Sequence, residues 1–399
     1  MPVVLRLANL LITSYLCTLY QKFVRLLPPK MYIQHYNIVT PLGFDLPTTA
    51  RLLLRERSAI ARYPMYGQLT DVCLSKIGDG AIESRFQQVV ERNDFSRLEK
   101  LLLLAIAPIF HKIKITPRTA LILSSTKGNI SALADGDSAP LLSTLAQKMA
   151  NAIGVTTTPI VVSNACVSGA MALSVADRLL KADAFDNAIV LAGDEISEFV
   201  LSGFHSFQAM SAQPCRPYDA QRDGITLGEA TAVAYVTREA TGAKAQLLGS
   251  SSINDANHIS GPSRTGEGLY LSVLNALDEA KLRPEQIDLI NAHGTGTLYN
   301  DEMESNAFMR AGLLSPPLNS YKGYFGHTLG TSGLLETVLT IEFARHKILL
   351  KSLNYETLGV SQPINVLKQT QHTEVKHLLK TASGFGGSNT ALAIKVNNE

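Results

Sequence analysis

Short, strongly apolar runs alternate with helical segments along most of this chain, and that alternation limits its fold more than any other feature. Four runs are predicted to be buried strands because they are rich in β-branched residues and end at small or turn-forming ones. They are Tyr32–Val39, Ala120–Ser125, Ile160–Val162 and Asn187–Gly193. Strands that alternate with helices in this way favour parallel α/β packing.

The chain also shows a weak internal repeat. Gly228–Val236 and Gly387–Ile394 are both glycine-led turns that enter an alternating strand. Two copies of one α/β unit, residues 31–240 and 241–399, would explain this match, which is short enough to arise by chance. Residues 48–115 are predicted to be mainly helical, with the apolar run from 101 to 106 inside a buried helix.

Residues 1–30 stand apart from the rest of the chain. Fifteen uncharged, mostly apolar residues lie between Arg6 and Lys22, whereas a membrane-spanning helix needs about 20 apolar residues. Two interpretations stay open: an amphipathic helix on a membrane surface, or a start assigned too early, with Met31 as the true first residue. Either way we expect at most peripheral contact with a membrane.

Charge and cysteine usage exclude several classes of protein. The net charge is +2 and no long basic run occurs, which argues against a dedicated nucleic-acid-binding protein. The four cysteines include no CxxC pair and no Cys/His spacing of a zinc site. We therefore expect neither a disulfide scaffold nor a metal centre, and a cytoplasmic location suits this cysteine usage.

One cysteine stands where a predicted strand turns sharply into a helix. Cys166 follows Ile160–Val162 and precedes the small residues Ser168-Gly169-Ala170, which let the backbone turn tightly and let a substrate carbonyl approach. A helix N-terminus offers free N–H groups and partial positive charge, which favour a thiolate. The helix is therefore expected to lower the pKa of this thiol by roughly one unit. The alternative is that Cys166 is a small buried hydrophobic residue.

Two histidines stand at similar glycine-rich turns. His293 ends the predicted strand that begins at Asp288 and precedes Gly294-Thr295-Gly296-Thr297, while His327 lies in the elbow Lys322–Gly333. A further loop of small residues, Ser383–Asn389, is interrupted by one aromatic side chain. A cysteine and two histidines, each at the mouth of an element and flanked by small residues, indicate nucleophilic catalysis.

Taken together, these motifs resemble those of the β-ketoacyl-acyl-carrier-protein synthases, the elongating, condensing type with a Cys-His-His triad and the thiolase fold. The resemblance covers nearly all of residues 31–399 and rests on Asn164–Ala170, Asn291–Thr297 with Asp301, Lys322–Gly333 with Glu336, Gly384–Gly387, and Cys215–Asp219 with Arg222–Gly224 and Gly228-Glu229. It implies a duplicated, five-layered αβαβα fold. The N-terminal half, 31–240, would carry the nucleophile and the C-terminal half, 241–399, both histidines.

The resemblance also implies a decarboxylative Claisen condensation, in fatty-acid or in polyketide and polyene-type biosynthesis. Cys166 would take an acyl chain from the phosphopantetheine of acyl carrier protein, and malonyl-acyl carrier protein would then extend it. The resemblance implies that the backbone N–H groups of Cys166 and Phe385 form the oxyanion hole and that His293 and His327 hold the malonyl thioester carbonyl. Lys322 and Glu336 would set the charge and orientation of His327, and Thr295 and Thr297 would hold the pantetheine arm. Arg97 and Lys100 would dock an acidic carrier protein. Decarboxylation drives bond formation, so no metal or redox cofactor is implied. A homodimer is expected, with a heterodimer of related subunits as the alternative.

Some positions depart from the family pattern. Gln34-His35-Tyr36 stands where glycines are usual, Val167 follows the cysteine, and Thr331-Ser332 replaces a common pair of alanines. The segment from Gly128 to Ala152, which lines the dimer interface and the acyl pocket in the family, is short. That difference puts the preferred chain length in doubt and points to a specialised pathway.

Two other classes of protein fit the sequence less well. A non-catalytic, chain-length-determining subunit of a heterodimeric ketosynthase usually lacks the cysteine, whereas this chain has Cys166 and both histidines. A degradative thiolase needs a second cysteine near the C-terminus, and none follows Cys215.

Overall fold

The computed structural model describes residues 30–90, 94–133, 141–256, 261 and 263–398. Apart from Lys30, the N-terminal segment 1–30, for which two interpretations stay open, lies outside the described residues. The described strands are β1 (Met31–Val39), β2 (Ala61–Tyr66), β3 (Leu69–Ser75), β4 (Thr119–Ser124), β5 (Ile160–Val162), β6 (Asn187–Asp194), β7 (Leu227–Gly228), β8 (Ala230–Thr237), β9 (Ala245–Asn254), β10 (Leu289–Asn291), β11 (Leu318–Asn319), β12 (Ile348–Leu349), β13 (Gln371–His372), β14 (His377–Gly384) and β15 (Ser388–Val396). The described α-helices are α1 (Leu46–Leu53), α2 (Asp79–Phe86), α3 (Arg97–Phe110), α4 (Leu142–Ile153), α5 (Ser168–Lys181), α6 (Glu198–Ser206), α7 (Glu267–Ala280), α8 (Leu298–Arg310), α9 (Lys322–Phe325) and α10 (Ser332–Arg345). None of these helices is long and apolar enough to cross a membrane.

The main sheet contains the same arrangement twice. Its strands run β5-β4-β6-β8-β1-β9-β15-β14-β10-β11, and β1 pairs with β9 through Met31–Ile33. In chain order, the first half contributes β1, β4, β5, β6 and β8 to this sheet, and the second half contributes β9, β10, β11, β14 and β15. Outward from the junction, both halves place these five strands in the same order: first, fifth, fourth, second and third. The two similar glycine-led segments form β8 and β15, which occupy equivalent places. This repetition confirms the predicted duplicated α/β fold, while the division near residue 240 stays a prediction.

Three apolar cores separate the layers. The central core packs α5 and α10 between the two halves of the sheet. One outer core lies under α3 and α4, and the other under α7 and α8. The order is therefore helix, sheet, helix, sheet, helix, with the two central helices belonging to different halves.

Local sequence explains why several of these elements begin and end where they do. β4 and β6 consist almost wholly of buried residues, as their apolar runs predicted. Ser96 and Glu99 form a reciprocal capping box at the start of α3. The run from Leu101 to Ile106 lies inside that helix and is buried, as expected. Gly154 ends α4 in the left-handed conformation, with φ +80°.

The prediction that residues 48–115 are mainly helical is wrong for residues 61–75. These residues form the hairpin of β2 and β3, which pairs with β7. Tyr63, Tyr66 and Val72 favour strands, and Gly67 turns the chain with φ +58°. The signal was a glycine turn between two short aromatic and β-branched runs.

Close contact between the two central helices holds the halves together. A Cβ added to Gly169 of α5 would lie 2.6 Å from the backbone nitrogen of Leu334 in α10. A Cβ added to Gly333 of α10 would lie 2.3 Å from the backbone nitrogen of Ala170. Because Gly169 is three residues beyond Cys166 and Gly333 six beyond His327, this contact fixes the distance between those two segments.

Gly169→Ala is therefore expected to destabilise the protein, although replacing glycine by alanine inside a helix normally stabilises by about 1 kcal/mol. The added methyl group must push the helices apart, and overpacking of this kind costs about 1–3 kcal/mol. Thermal unfolding would measure the change. The control is Gly80→Ala in α2, where an added Cβ meets no atom within 4 Å among the described residues. Equal stabilisation by both substitutions would contradict the packing argument.

Candidate active site

The structure brings the predicted cysteine and both histidines together. Cys166 precedes α5, His293 follows β10, and His327 lies between α9 and α10. One ligating atom of each, the cysteine Sγ and a ring nitrogen of each histidine, lies within 4.8 Å of the others. The two imidazole rings stand nearly perpendicular, with centroids 5.1 Å apart. All three side chains are buried, so residues from both halves share one enclosed site.

The elbow at Cys166 is held by a serine that follows it. Ser168 Oγ donates to the carbonyl oxygen of Ala165 at 2.6 Å and accepts from the backbone N–H of Asn164 at 2.8 Å. Ala165 adopts φ +44°, a conformation that non-glycine residues rarely take. The backbone N–H of Phe385 reaches the Cys166 sulfur. Phe385, the predicted oxyanion residue, thus lies beside Cys166.

The prediction that the helix lowers the pKa of this thiol is wrong in net effect. Burial raises the pKa of the Cys166 thiol to about 11, although Lys322 and the Phe385 N–H both act to lower it. The helix N-terminus is worth only about 1 kcal/mol, less than the cost of a buried thiolate. The thiol is therefore neutral at pH 7 until a substrate and a base reach it.

A serine, rather than a lysine, contacts the ring of His327. Ser332 Oγ lies 2.8 Å from His327 Nδ1, and Thr328 Oγ1 lies 3.1 Å from the same serine oxygen. The other ring nitrogen, Nε2, is buried without a hydrogen-bond partner among the described residues. Ser332 is one of the positions that depart from the family pattern, and that departure was the signal for its role.

Lys322 and Glu336 hold the loop of His293 and make no hydrogen bond to His327 among the described residues, which corrects their expected part in orienting His327. The expected effect of Lys322 on the charge of His327 stands, because its ammonium lowers the pKa of both rings. Lys322 Nζ donates to the carbonyl oxygen of His293 at 2.5 Å and to Glu336 Oε1 at 2.7 Å. The second oxygen of Glu336 accepts from Lys380 Nζ. Sequence reasoning missed Lys380, although a lysine directly after two leucines in the buried strand β14 was a usable signal.

Two buried carboxylates of α8 shape the loop that carries His293. Glu304 accepts the backbone N–H groups of His293 and Gly294, at 2.8 and 2.6 Å. Asp301 accepts the backbone N–H of Thr295 at 2.9 Å. Asp301 belongs to the first histidine motif, whereas Glu304 was missed. Its spacing of three residues from Asp301 places both on one helix face.

Both histidines favour the neutral form. Burial lowers the pKa of His293 and of His327 well below the usual range, and the charge of Lys322 lowers both further. Lys380 adds to this effect at each ring. At neutral pH the site therefore offers two uncharged imidazoles, each able to donate one hydrogen bond to a substrate oxygen.

Two cavities meet at Cys166. The larger, about 700 Å³, runs along α6. The smaller, about 390 Å³, is lined by both histidines and by the predicted pantetheine residues Thr295 and Thr297, whose hydroxyls lie 2.8 Å apart. Phe385 lines both cavities. It stacks on Phe204 with ring centroids 5.7 Å apart, so an aromatic wall divides the two routes to the thiol.

The proposed docking residues Arg97 and Lys100 are engaged elsewhere. Arg97 pairs with the buried Glu229 at 2.5 Å, and with Asp79 and Glu195. Lys100 is only 7% exposed and pairs with Glu83. The structure does not support either as a docking residue, because neither ammonium nor guanidinium group is free to meet an acidic partner.

The triad also has the spacing of a metal site. Among the described residues, Cys166, His293 and His327 form the group whose sulfur and nitrogen atoms could jointly hold an ion. Thiolate and imidazole are ligands that suit Zn²⁺. The same atoms face the junction of two cavities, an arrangement suited to covalent chemistry on a substrate.

Comparison with known proteins assigns this site to a family. The profile described as "Beta-ketoacyl synthase, N-terminal domain" matches residues 36–242, and "Beta-ketoacyl synthase, C-terminal domain" matches residues 244–356. The chain belongs to the β-ketoacyl synthase family. The boundary between the two matched ranges falls between β8 and β9.

Several curated proteins of this family are similar in sequence. "Putative polyketide beta-ketoacyl synthase 1" of Streptomyces halstedii is 31% identical over 63% of this chain and 64% of its own length. "3-oxoacyl-[acyl-carrier-protein] synthase 2" of Rhizobium meliloti is 34% identical over 59% of this chain and 60% of its own length. The chain thus spans somewhat less than two thirds of these relatives.

Solved structures match over a larger share. A chain of the complex between the ketosynthase ApeO and its chain length factor ApeC, from Xenorhabdus doucetiae, is 26% identical, with a TM-score of 0.81 over 92% of this chain and 98% of that one. A β-ketoacyl synthase from Burkholderia phymatum, 22% identical with a TM-score of 0.80 over 93% of this chain and all of that one, shows the shared fold alone. The predicted thiolase-like fold of the condensing enzymes is confirmed.

Proposed function

We propose that this protein catalyses the decarboxylative Claisen condensation of an acyl chain, bound to Cys166, with malonyl-acyl carrier protein. The observation that carries the proposal is the meeting of one thiol and two neutral imidazoles where two cavities join. One cavity can hold the acyl chain while the other admits the pantetheine arm. The product is a β-ketoacyl-carrier protein, in fatty-acid or polyketide and polyene-type biosynthesis.

The first step is transfer of the acyl group to Cys166. Sγ attacks the thioester carbonyl carbon, the thiol gives its proton to a nearby imidazole nitrogen, and this imidazolium then passes the proton to the departing pantetheine thiolate and becomes neutral again. The oxyanion forms next to the backbone N–H groups of Cys166 and Phe385. Loss of one such donor typically costs about 10²–10³ in rate. Because the thiol pKa is about 11, proton transfer must accompany the attack.

The second step forms the carbon–carbon bond. The thioester carbonyl of the malonyl group accepts hydrogen bonds from His293 and His327, and the bond to its carboxylate breaks with release of CO₂. The electron pair becomes an enolate, whose carbon attacks the acyl thioester. Cys166 then leaves as a thiolate and is reprotonated. Both imidazoles must be neutral donors here, in agreement with the lowered pKa of each.

Partners follow from the same chemistry. The substrates are carried on phosphopantetheine of an acyl carrier protein, so the enzyme needs no separate metal or redox cofactor. Among the similar solved structures, ApeO is a ketosynthase in complex with its chain length factor, and AntDE:AntF is an acyl-carrier protein in complex with its ketosynthase. We expect a dimer, homodimeric or with a related subunit. The alternative of a non-catalytic subunit is disfavoured, because all three triad residues are present and in place.

Mass spectrometry tests this function directly. The protein is incubated with a panel of acyl-carrier proteins that carry acyl groups of different length and saturation. We expect one acyl mass on the peptide that contains Cys166, and β-ketoacyl product when malonyl-carrier protein is added. Acylation elsewhere, or none with any donor, would contradict the proposal.

Ser332→Ala is expected to slow decarboxylation about tenfold, with little change in KM. The serine hydroxyl can donate to His327 Nδ1 while accepting from Thr328, which keeps the proton on Nε2 where the substrate needs it. One neutral hydrogen bond is worth about 0.5–1.5 kcal/mol. CO₂ release from malonyl-carrier protein measures the rate. The matched control is Ser174→Ala on α5, the other central helix, which loses a buried hydroxyl contact to Ser250. Equal rates in both variants would contradict this role.

A further inference from the structure

We propose that Lys380 is a second active-site lysine: it holds Glu336 from the side opposite Lys322 and adds positive charge near the two histidines, so that both imidazoles stay neutral. This inference rests on the proposed condensation and deepens it. Lys380 acts through its neighbours and is a positioning residue, because its ammonium contacts Glu336 and makes no hydrogen bond to a triad side chain among the described residues.

Lys380 lies where it can support the loop of His293. It belongs to β14, which runs parallel to β10, and it stands opposite Asn291, two residues before His293. Its ammonium and that of Lys322 each contact a different oxygen of Glu336. Lys322 also donates to the carbonyl oxygen of His293. A continuous chain of polar contacts therefore links strand β14 to the loop of His293, through Lys380, Glu336 and Lys322.

Burying the charged groups of Lys322, Lys380 and Glu336 costs desolvation free energy, so we expect this cluster to serve a function. Lys322 and Lys380 are 0% exposed and Glu336 is 3% exposed. Replacing a buried ion cluster by apolar residues of similar volume is often neutral or stabilising. The preceding residues Leu378 and Leu379 are apolar and the following residue, Thr381, is uncharged, so Lys380 is the charged side chain at this point of β14. A lysine therefore contributes something that packing does not require, and its charge is the property that leucine lacks.

The charges around the histidines show what Lys380 balances. The buried carboxylates of Glu336, Glu304 and Asp301 lie around the histidine loops, and a fourth, Asp194, accepts the N–H of Gly330 beyond His327. The cations near them are Lys322, Lys380 and Arg222, which lies 3.9 Å from Asp301. Without Lys380 the excess of carboxylates would be larger. A negative surplus beside an imidazole favours its protonated form. A protonated histidine would hold the malonyl carboxylate rather than let it leave.

Removing the charge should therefore change how the reaction depends on pH. In the wild-type protein the pKa of each histidine lies well below its usual value of 6.5, so protonation of the imidazoles lowers activity only when pH drops well below that value. In Lys380→Met the histidines lose a repelling cation and protonate more readily. We expect the acidic limb of the rate profile to move up by roughly one pH unit, with the rate near pH 8 much less affected.

The experiment measures CO₂ release from malonyl-pantetheine between pH 5 and pH 9. This small substrate avoids any change in the carrier protein at acid pH. Lys380→Gln, which keeps a hydrogen-bonding group but no charge, should shift the acidic limb as Lys380→Met does. The matched control is Lys181→Met at the far end of α5, where the ammonium also bridges two carboxylates, Asp177 and Glu279, each at 2.7 Å. Its acidic limb should coincide with that of the wild type.

Each outcome decides the proposal. A wild-type acidic limb at or above pH 6.5 would overturn it, even if no Lys380 variant folds. Variants that fold but keep the wild-type limb would overturn it and leave the condensation standing, with Lys380 reduced to a stabilising role. Absence of CO₂ release from the wild type at every pH would overturn the proposed function, and this inference with it.

Discussion

Replacing Cys166 with alanine is expected to abolish condensation while decarboxylation of malonyl-carrier protein continues. In the proposed reaction the sulfur receives the acyl chain, and no other described thiol lies in either cavity. Loss of a catalytic nucleophile typically removes far more than 10³ of the rate, roughly 10⁶ in well-studied hydrolases. His293 and His327 are untouched, so the enolate can still form and is then protonated to an acetyl thioester.

Two assays separate these activities. Mass spectrometry of the carrier protein follows β-ketoacyl product, and CO₂ release follows decarboxylation. The control is Cys73→Ala, which removes another buried thiol, one whose sulfur lies 3.8 Å from the carbonyl oxygen of Ala212. Product formation by Cys166→Ala at the wild-type rate would show that the nucleophile has been assigned to the wrong residue.

The sequence predicted the central part of the site because its signals are local. Cys166 and His293 each follow a short strand, His327 follows the short helix α9, and all three stand among small residues at sharp turns. The strands themselves were recognisable because β4 and β6 are buried on both faces and therefore mostly apolar. Parallel strands then place the ends of neighbouring elements at one edge of the sheet.

What the sequence could not supply depends on contacts between distant segments. The pKa of Cys166 reflects burial by both halves, whereas the helix dipole is visible from the local sequence alone. Lys380 matters because Glu336, 44 residues earlier, turns towards it. Arg97 looked free in the sequence, yet its guanidinium is taken up by Glu229, 132 residues away. Pairings of this kind follow from tertiary structure and have no local signature.

The hairpin of β2 and β3 was missed for a different reason. It lies between helices α1 and α2, in a region whose polar and apolar residues are mixed, and its strands are largely exposed. Exposed strands lack the continuous apolar run that identifies buried ones. The hairpin bears on function, because Gln68 at its turn lines the larger cavity and donates its N–H to Glu198 of α6 at 2.9 Å.

Replacing either histidine of the triad with alanine is the prediction with the second largest effect. His293→Ala and His327→Ala should each lower the rate of decarboxylation by about 10²–10³, the usual cost of one donor to a developing oxyanion. Acylation of Cys166 should persist in at least one of them, because that step uses the backbone N–H groups of Cys166 and Phe385. CO₂ release and acyl-enzyme mass are measured on the same samples, with His346→Ala, a half-exposed histidine beside Glu342, as control.

The two losses should be far from additive in the double variant, since both donors serve one oxygen. Decarboxylation at the wild-type rate in either single variant would mean that the enolate is stabilised by other groups, and the assignment of both imidazoles to the malonyl carbonyl would then be wrong.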